Sequence, residues 1–123
     1  MKLNHLNLTV TDVGEAREFL ETYIGLRCAA TRGDSFAALS DDDGLFLTLM
    51  EGKKVEYPGT FHVGFAQESE EKVDEINQRL KDDGFEVKSP GRFHGAWTFY
   101  LDAPGGFTIE VLGADDPQFP VGG

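Results

Sequence analysis

The 123-residue chain has a single cysteine, Cys28, and few basic side chains: 11 Lys and Arg stand against 22 Asp and Glu, a net charge of −11. One cysteine excludes an intrachain disulfide and any zinc site built on cysteines, and it fits a reduced, cytoplasmic setting. Cys28 falls within an expected strand and reads as a buried structural thiol. The shortage of cations excludes DNA and RNA as partners, because neutralising phosphates needs clustered Lys and Arg. Docking on an anionic membrane surface is disfavoured for the same reason. No apolar run approaches the roughly 20 residues that cross a bilayer. The chain passes from Met1 straight into alternating sequence, so no signal peptide is expected at this end.

What is present is a globular composition. Forty per cent of the residues are apolar, and ten Phe supply bulk for the core of one domain. Leu6, Leu8 and Val10 alternate with His5, Asn7 and Thr9, which is the period of a strand. Asp12 then caps a helix, with Glu15 three residues on. Ala16, Phe19, Leu20, Tyr23 and Ile24 form its apolar stripe, and Gly25 takes the left-handed position at its end. Strands are expected at 27–32, 35–40 and 45–50, the last two joined by Asp41-Asp42-Asp43-Gly44. That acidic run lacks the alternate-position ligands and distal Glu of a calcium loop, so it reads as a solvated turn.

After a connector (53–60) the same grammar restarts. A strand is expected over 61–66, then a helix capped by Ser69, with Val73, Ile76 and Leu80 facing inward and Gly84 at its end. Strands at 85–88, 95–101 and 107–112 complete the second half. The order is βαβββ twice, with His5 matching His62 and Gly44 matching Gly106 at an offset of about 57 to 62 residues. The fold class is therefore α+β. Module one covers 1–52 and module two 61–113, the two sharing one domain over 1–113, with a tail at 114–123. Neither half is large enough to bury a core alone.

Strand parity then groups the polar residues. His5, Asn7 and Thr9 share one face, and His62 opposes Phe61, Val63 and Phe65. Thr108 and Glu110 oppose Phe107, Ile109 and Val111. Two imidazoles and a carboxylate on separate strands are a donor set for a divalent metal with positions left open. Setting Gly44 on Gly106 puts Thr48 where the second half has Glu110, so the first half lacks the matching carboxylate. Glu51 is a weaker candidate ligand, at the opposite parity. Arg92, His94, Trp97 and Tyr100 lie in an aromatic stretch that reads either as a pocket wall or as a strand packed on the second helix.

These motifs resemble the vicinal oxygen chelate superfamily of glyoxalases, bleomycin-resistance proteins and extradiol dioxygenases. The resemblance is carried by Leu3-Asn4-His5-Leu6-Asn7-Leu8-Thr9-Val10 with Asp12, by Phe61-His62-Val63-Gly64-Phe65, and by Phe99 through Glu110. Before the last strand the chain reads Asp-Ala-Pro-Gly-Gly, one residue longer than the usual turn. The resemblance implies two βαβββ modules forming an eight-stranded open cleft around one divalent ion per chain, with Zn, Ni, Mn and Fe not distinguished. It places His5, His62 and Glu110 on the metal, and Asn7, Thr48, Arg92, His94, Trp97 and Tyr100 along the substrate pocket. It further implies a small oxygen-rich organic substrate, bidentate chelation of lyase, isomerase, transferase or dioxygenase type, and a homodimer. Thr48 in place of a carboxylate departs from the glyoxalase branch, and the scarcity of basic groups departs from the fosfomycin-resistance branch. The alternative is a non-catalytic, bleomycin-resistance-like protein that sequesters a cationic drug against aromatic rings.

Overall fold

In β1 (His5–Val10) Leu8 and Val10 are buried while His5, Asn7 and Thr9 are exposed, as alternation requires. The computed structural model describes residues 1–113, and the expected tail at 114–123 lies outside the described residues. Asp12 ends the extended run and accepts the Glu15 N–H at 2.9 Å, opening α1 (Val13–Phe19). The expected stripe continues into a wider π turn, Leu20–Ile24, closed by Gly25 at φ 86°. Ala16, Phe19 and Leu20 are buried, whereas Tyr23 and Ile24 on the wider turn are only half-buried.

Strands β2 (Arg27–Arg32), β3 (Phe36–Ser40) and β4 (Phe46–Glu51) complete a four-stranded sheet in the order β1-β4-β3-β2. β1 runs parallel to β4 and the other pairs are antiparallel. The β3–β4 turn is a solvated one: the Asp41 carboxylate accepts the N–H groups of Asp43 and Leu45, both at 2.9 Å, and Gly44 takes φ 88°. Cys28 sits beside an irregularity in the β2–β3 pairing and is half-buried, not fully buried as expected. The free edge of β1 is occupied by Tyr57, whose hydroxyl accepts the Thr9 N–H at 2.9 Å and donates to the Thr9 carbonyl at 2.8 Å.

The second sheet has the order β5-β8-β7-β6, formed by β5 (Val63–Gln67), β6 (Gly91–Phe93), β7 (Ala96–Ala103) and β8 (Phe107–Gly113). Between β5 and β6 lies α2 (Glu70–Asp82), capped by the Ser69 hydroxyl on the Lys72 N–H. Val73, Ile76 and Leu80 are buried as expected, each stabilising the unit by about 1.5–3 kcal/mol relative to exposure. The expected strand at 85–88 is not formed, and β6 appears instead at 91–93. Residues 85–89 are tied to α2: Phe85 N–H donates to the Leu80 carbonyl, buried Asn77 donates to the Lys88 carbonyl at 2.8 Å, and Lys81 Nζ donates to Ser89 Oγ. Pro90, which has no N–H to give a ladder, separates that stretch from β6. β6 turns into β7 through His94 (φ 54°) and Gly95 (φ 83°), the two left-handed residues of a type I′ hairpin.

By contacts the chain divides into two units, Met1–Gly59 with Ala103–Phe107, and Thr60–Asp102 with the chain from Thr108 onward. The chain passes from one unit to the other at Gly59/Thr60, and the β7–β8 turn belongs to the first unit. Thr11 N–H donates to the Gly105 carbonyl at 3.1 Å, and a Cβ on Gly105 would stand 3.0 Å from Val10.

Candidate metal centre and adjoining cleft

The internal repeat is reproduced by strand register. In the first unit Asn7 of β1 is paired with Thr48 of β4; in the second, Gly64 is paired with Glu110 of β8. Asn7 lies two residues after His5 and Gly64 two after His62, so Thr48 and Glu110 hold equivalent places. Their surroundings differ. The Thr48 hydroxyl donates to Asn7 Oδ1 at 2.8 Å, so the two side chains satisfy each other. Glycine at 64 leaves the opposite space to the carboxylate: a Cβ there would stand 3.8 Å from Glu110 Oε1.

His62 lies just before β5, on the exposed parity with Gly64 and Ala66. Its Nδ1 is 2.9 Å from the Thr60 carbonyl, which can only accept, so the hydrogen is assigned to Nδ1. In the neutral imidazole Nε2 is the atom with the lone pair, and it lies 3.5 Å from Glu110 Oε1. A charge-assisted hydrogen bond would be about 2.7–2.9 Å, so this spacing is too long for a well-made one. Two ligand atoms about 2.1 Å from one ion at a tetrahedral angle stand about 3.4 Å apart. The donor types and their spacing fit a divalent cation. Among the described residues no three His, Cys, Asp or Glu side chains gather into a complete site, so the expected three-residue set is present as this pair. His5 belongs to the first unit, where its Nδ1 lies 3.1 Å from Asn4 Oδ1.

The Glu110 side chain is only 14% exposed, against 40% for His62. Its other oxygen is held by Thr98: that hydroxyl, fully buried on β7, lies 2.9 Å from Glu110 Oε2 and 2.9 Å from the Val111 carbonyl. One hydrogen thus serves two acceptors and fixes the carboxylate against the strand that carries it. Sequence reading missed Thr98. The available signal was its parity with Tyr100, a hydroxyl in the middle of an aromatic strand. Tyr100 stacks edge-on to His62 with ring centroids 5.4 Å apart. Partial burial, then the Glu110 charge and a hydrogen bond to that carboxylate, raise its hydroxyl above the ordinary tyrosine value. It is a neutral hydrogen-bond donor at any physiological pH.

The residues expected along the pocket separate into three places. Asn7 and Thr48 bind each other in the first unit. Arg92 and Trp97 turn towards α2, which corrects their assignment to a wall beside the metal: Arg92 grips both oxygens of Glu70 at 3.0 and 3.3 Å, and Trp97 Nε1–H donates to Asp74 at 2.8 Å. His94 and Tyr100 do line a common cleft of about 470 Å³, with Phe93, Phe99, Lys88 and Asp102 among its walls. This cleft lies where the β6–β7 ladder stops. Pairing ends at Gly91 opposite Thr98, while residues 86–89 on the far wall are held by α2. Glu51, the weaker candidate, lies exposed at the end of β4.

Residues 2–111 match the Glyoxalase/Bleomycin resistance protein/Dioxygenase superfamily. The chain is 32% identical over 91 residues to the fosfomycin resistance protein FosX of Listeria monocytogenes, covering 70% of this chain and 68% of that protein. A solved structure of a possible glyoxalase from Bacillus cereus is 66% identical, covers 91% of this chain and 98% of its own, and superposes with a TM-score of 0.86. FosX solved with Mn(II) and 1S,2S-dihydroxypropylphosphonic acid, as its E126Q mutant, is 25% identical over 90% of each chain, with a TM-score of 0.76. The lactoylglutathione lyase of Agrobacterium tumefaciens, at 18% identity and a TM-score of 0.74 over 91% of this chain and 92% of its own, shares the fold. No helix among the described residues is long and apolar enough to cross a membrane. With paired βαβββ units, a His–Glu pair on the second sheet and a match over residues 2–111, this chain belongs to the Glyoxalase/Bleomycin resistance protein/Dioxygenase superfamily.

Proposed function

We propose that the chain is a divalent-metal-dependent vicinal oxygen chelate enzyme acting on a small oxygen-rich organic substrate. The observation that carries the reading is the His62–Glu110 pair: an imidazole nitrogen and a carboxylate oxygen 3.5 Å apart, each held from behind by Thr60 or Thr98. Orientation of metal ligands by such outer partners is the usual device for tuning a metal site. His5 is the third ligand in this reading, supplied by the same chain or by a second copy in a homodimer. FosX with Mn(II) and a vicinal dihydroxy compound is a relative in which a metal and such a ligand occur together.

The bound ion would act as a Lewis acid on two neighbouring oxygens of the substrate. The protein's own contributions follow from the geometry. His62 and Glu110 bind, with Nδ1–H of His62 locked on the Thr60 carbonyl so that Nε2 stays available. Thr98 keeps the carboxylate from rotating. The Tyr100 hydroxyl, edge-on to His62 and at the cleft wall, is placed to donate to a substrate oxygen once the metal takes Glu110. His94 and Lys88 stand at the cleft wall to orient the remainder of the substrate.

The test is metal content and Mn(II) titration of protein prepared without a His-tag or chelator. About one ion per chain is expected, with binding abolished in His62→Ala. Retention of metal by that variant overturns the reading. Mixing His5→Ala protein with His62→Ala protein then tests where His5 acts: recovery of binding in the mixture places the ligands on different copies.

A further inference from the structure

The cleft beside Tyr100 has a chemistry of its own. Its apolar walls are Phe93, Phe99, Leu101 and the Tyr100 ring, and its charged groups are Lys88 against Glu86 and Asp102. Phe93 is 54% exposed and Tyr100 39%. Large aromatic surfaces left at the mouth of a cleft are surfaces for a ligand to stack on. One ammonium against two carboxylates leaves the cleft net negative.

Arg92 is held by Glu70, and Lys72 pairs with Glu75 at 3.4 Å. Lys81 donates to Ser89 of the cleft wall at 2.6 Å, and Lys88 is the one Lys or Arg among the lining residues. No Lys or Arg follows Arg92 anywhere in the sequence. Recognition of a phosphonate or phosphate relies on forked Arg or paired cations, and this cleft offers neither. A volume of about 470 Å³ is also generous for a three-carbon ligand and falls in the range that takes ring-sized ones.

We infer that this cleft receives an uncharged aromatic substituent on a vicinal-oxygen substrate and discriminates against a phosphonate in the same place. The inference rests on the metal reading above, because Tyr100 joins the cleft to the His62–Glu110 pair. It separates the chain from FosX in substrate while keeping the chelation chemistry.

Two probes isolate the substituent: 1-phenyl-1,2-propanediol and 1,2-dihydroxypropylphosphonic acid carry the same pair of neighbouring hydroxyls and differ in phenyl against phosphonate. Each is titrated calorimetrically into Mn(II)-loaded protein, alongside Mn(II) alone into metal-free protein. The phenyl diol is expected to bind at least about tenfold more tightly, since like charges placed together are strongly disfavoured. Phe93→Ala, a change at an exposed ring that leaves the core intact, should weaken the phenyl diol about three- to tenfold and leave the phosphonate unaffected. Asp102→Asn should narrow the gap by improving phosphonate binding. Equal or tighter binding of the phosphonate, or a phenyl diol affinity indifferent to Phe93→Ala, overturns the inference while normal Mn(II) binding preserves the metal reading. Failure of Mn(II) to bind overturns both.

Discussion

The two halves of this molecule follow one pattern and arrive at different chemistry. At the equivalent point of the parallel strand pair, the first half has Asn7 beside Thr48 and the second has Gly64 beside Glu110. The first pair closes on itself in a 2.8 Å hydrogen bond. In the second, glycine leaves the carboxylate free to face an imidazole. The outer edges diverge as well. β2 pairs with β3 from Arg27 to Arg32, whereas its counterpart pairs with β7 over three residues before Pro90 and the α2 tethers draw the chain away. Duplicated backbone thus gives the frame twice, and a few side chains decide which copy can bind a ligand.

The sharpest way to break this comparison is to remove the carboxylate that distinguishes the halves. Glu110→Gln should lower metal affinity by at least about a hundredfold, read by Mn(II) titration, because an amide oxygen is a weak ligand and loses the charge. Unchanged affinity would mean that the second half is as inert as the first. Copying the first half's filling residue, Gly64→Asn, should cost about ten- to a hundredfold in the same titration. The added amide reaches Glu110 Oε1, while the Cβ itself finds only ordinary contacts. Thr98→Val should produce a loss of similar or smaller size, and Thr98→Ser should recover most of it. A merely structural role would lower unfolding stability without moving the metal constant of the folded protein.

Two smaller effects concern the edges. Asn77→Ala leaves the Lys88 carbonyl without its buried donor and should cost about 1–3 kcal/mol in urea unfolding. The same change should raise hydrogen-exchange rates over 85–89. Tyr57→Phe removes the hydroxyl that closes the free edge of β1 and should cost about 0.5–1.5 kcal/mol. A cost in the second half no greater than in the first would show that residues 85–89 are held by something other than α2.

Much of the frame was legible because it rests on local rules. Alternation places Leu8 and Val10 inside with His5, Asn7 and Thr9 outside, and Asp12 and Ser69 cap helices where short polar side chains meet free N–H groups. The pairing of Gly64 with Glu110 repeats that of Asn7 with Thr48, but only the structure supplies that register. Residues 85–88 were misread because a short apolar-polar alternation, Phe85-Glu86-Val87-Lys88, says nothing about competition from a neighbouring helix. Buried Asn77 wins that competition by supplying the hydrogen bond a strand neighbour would have supplied. Arg92 and Trp97 were read as possible pocket wall for a related reason. Aromatic and basic residues suit either face of a strand, and only the positions of Glu70 and Asp74 on α2 settle which face they take.

The deficits of the sequence retain their force in the structure. One cysteine, half-buried at an edge strand, takes no part in the site. The scarcity of cations acquires a location, since Arg92 is bound to Glu70 and a single lysine lines the cleft. By itself the sequence determined the repeated βαβββ order, the capping residues, the faces of the strands and the donor side chains at His62 and Glu110. Those features depend on neighbours a few residues away or on a period. Tertiary structure alone decided that Thr98 holds Glu110, that Tyr100 approaches His62, and that residues 85–89 leave β7 to open a cleft. These depend on which distant group reaches a hydrogen-bond partner first, and no local pattern records that.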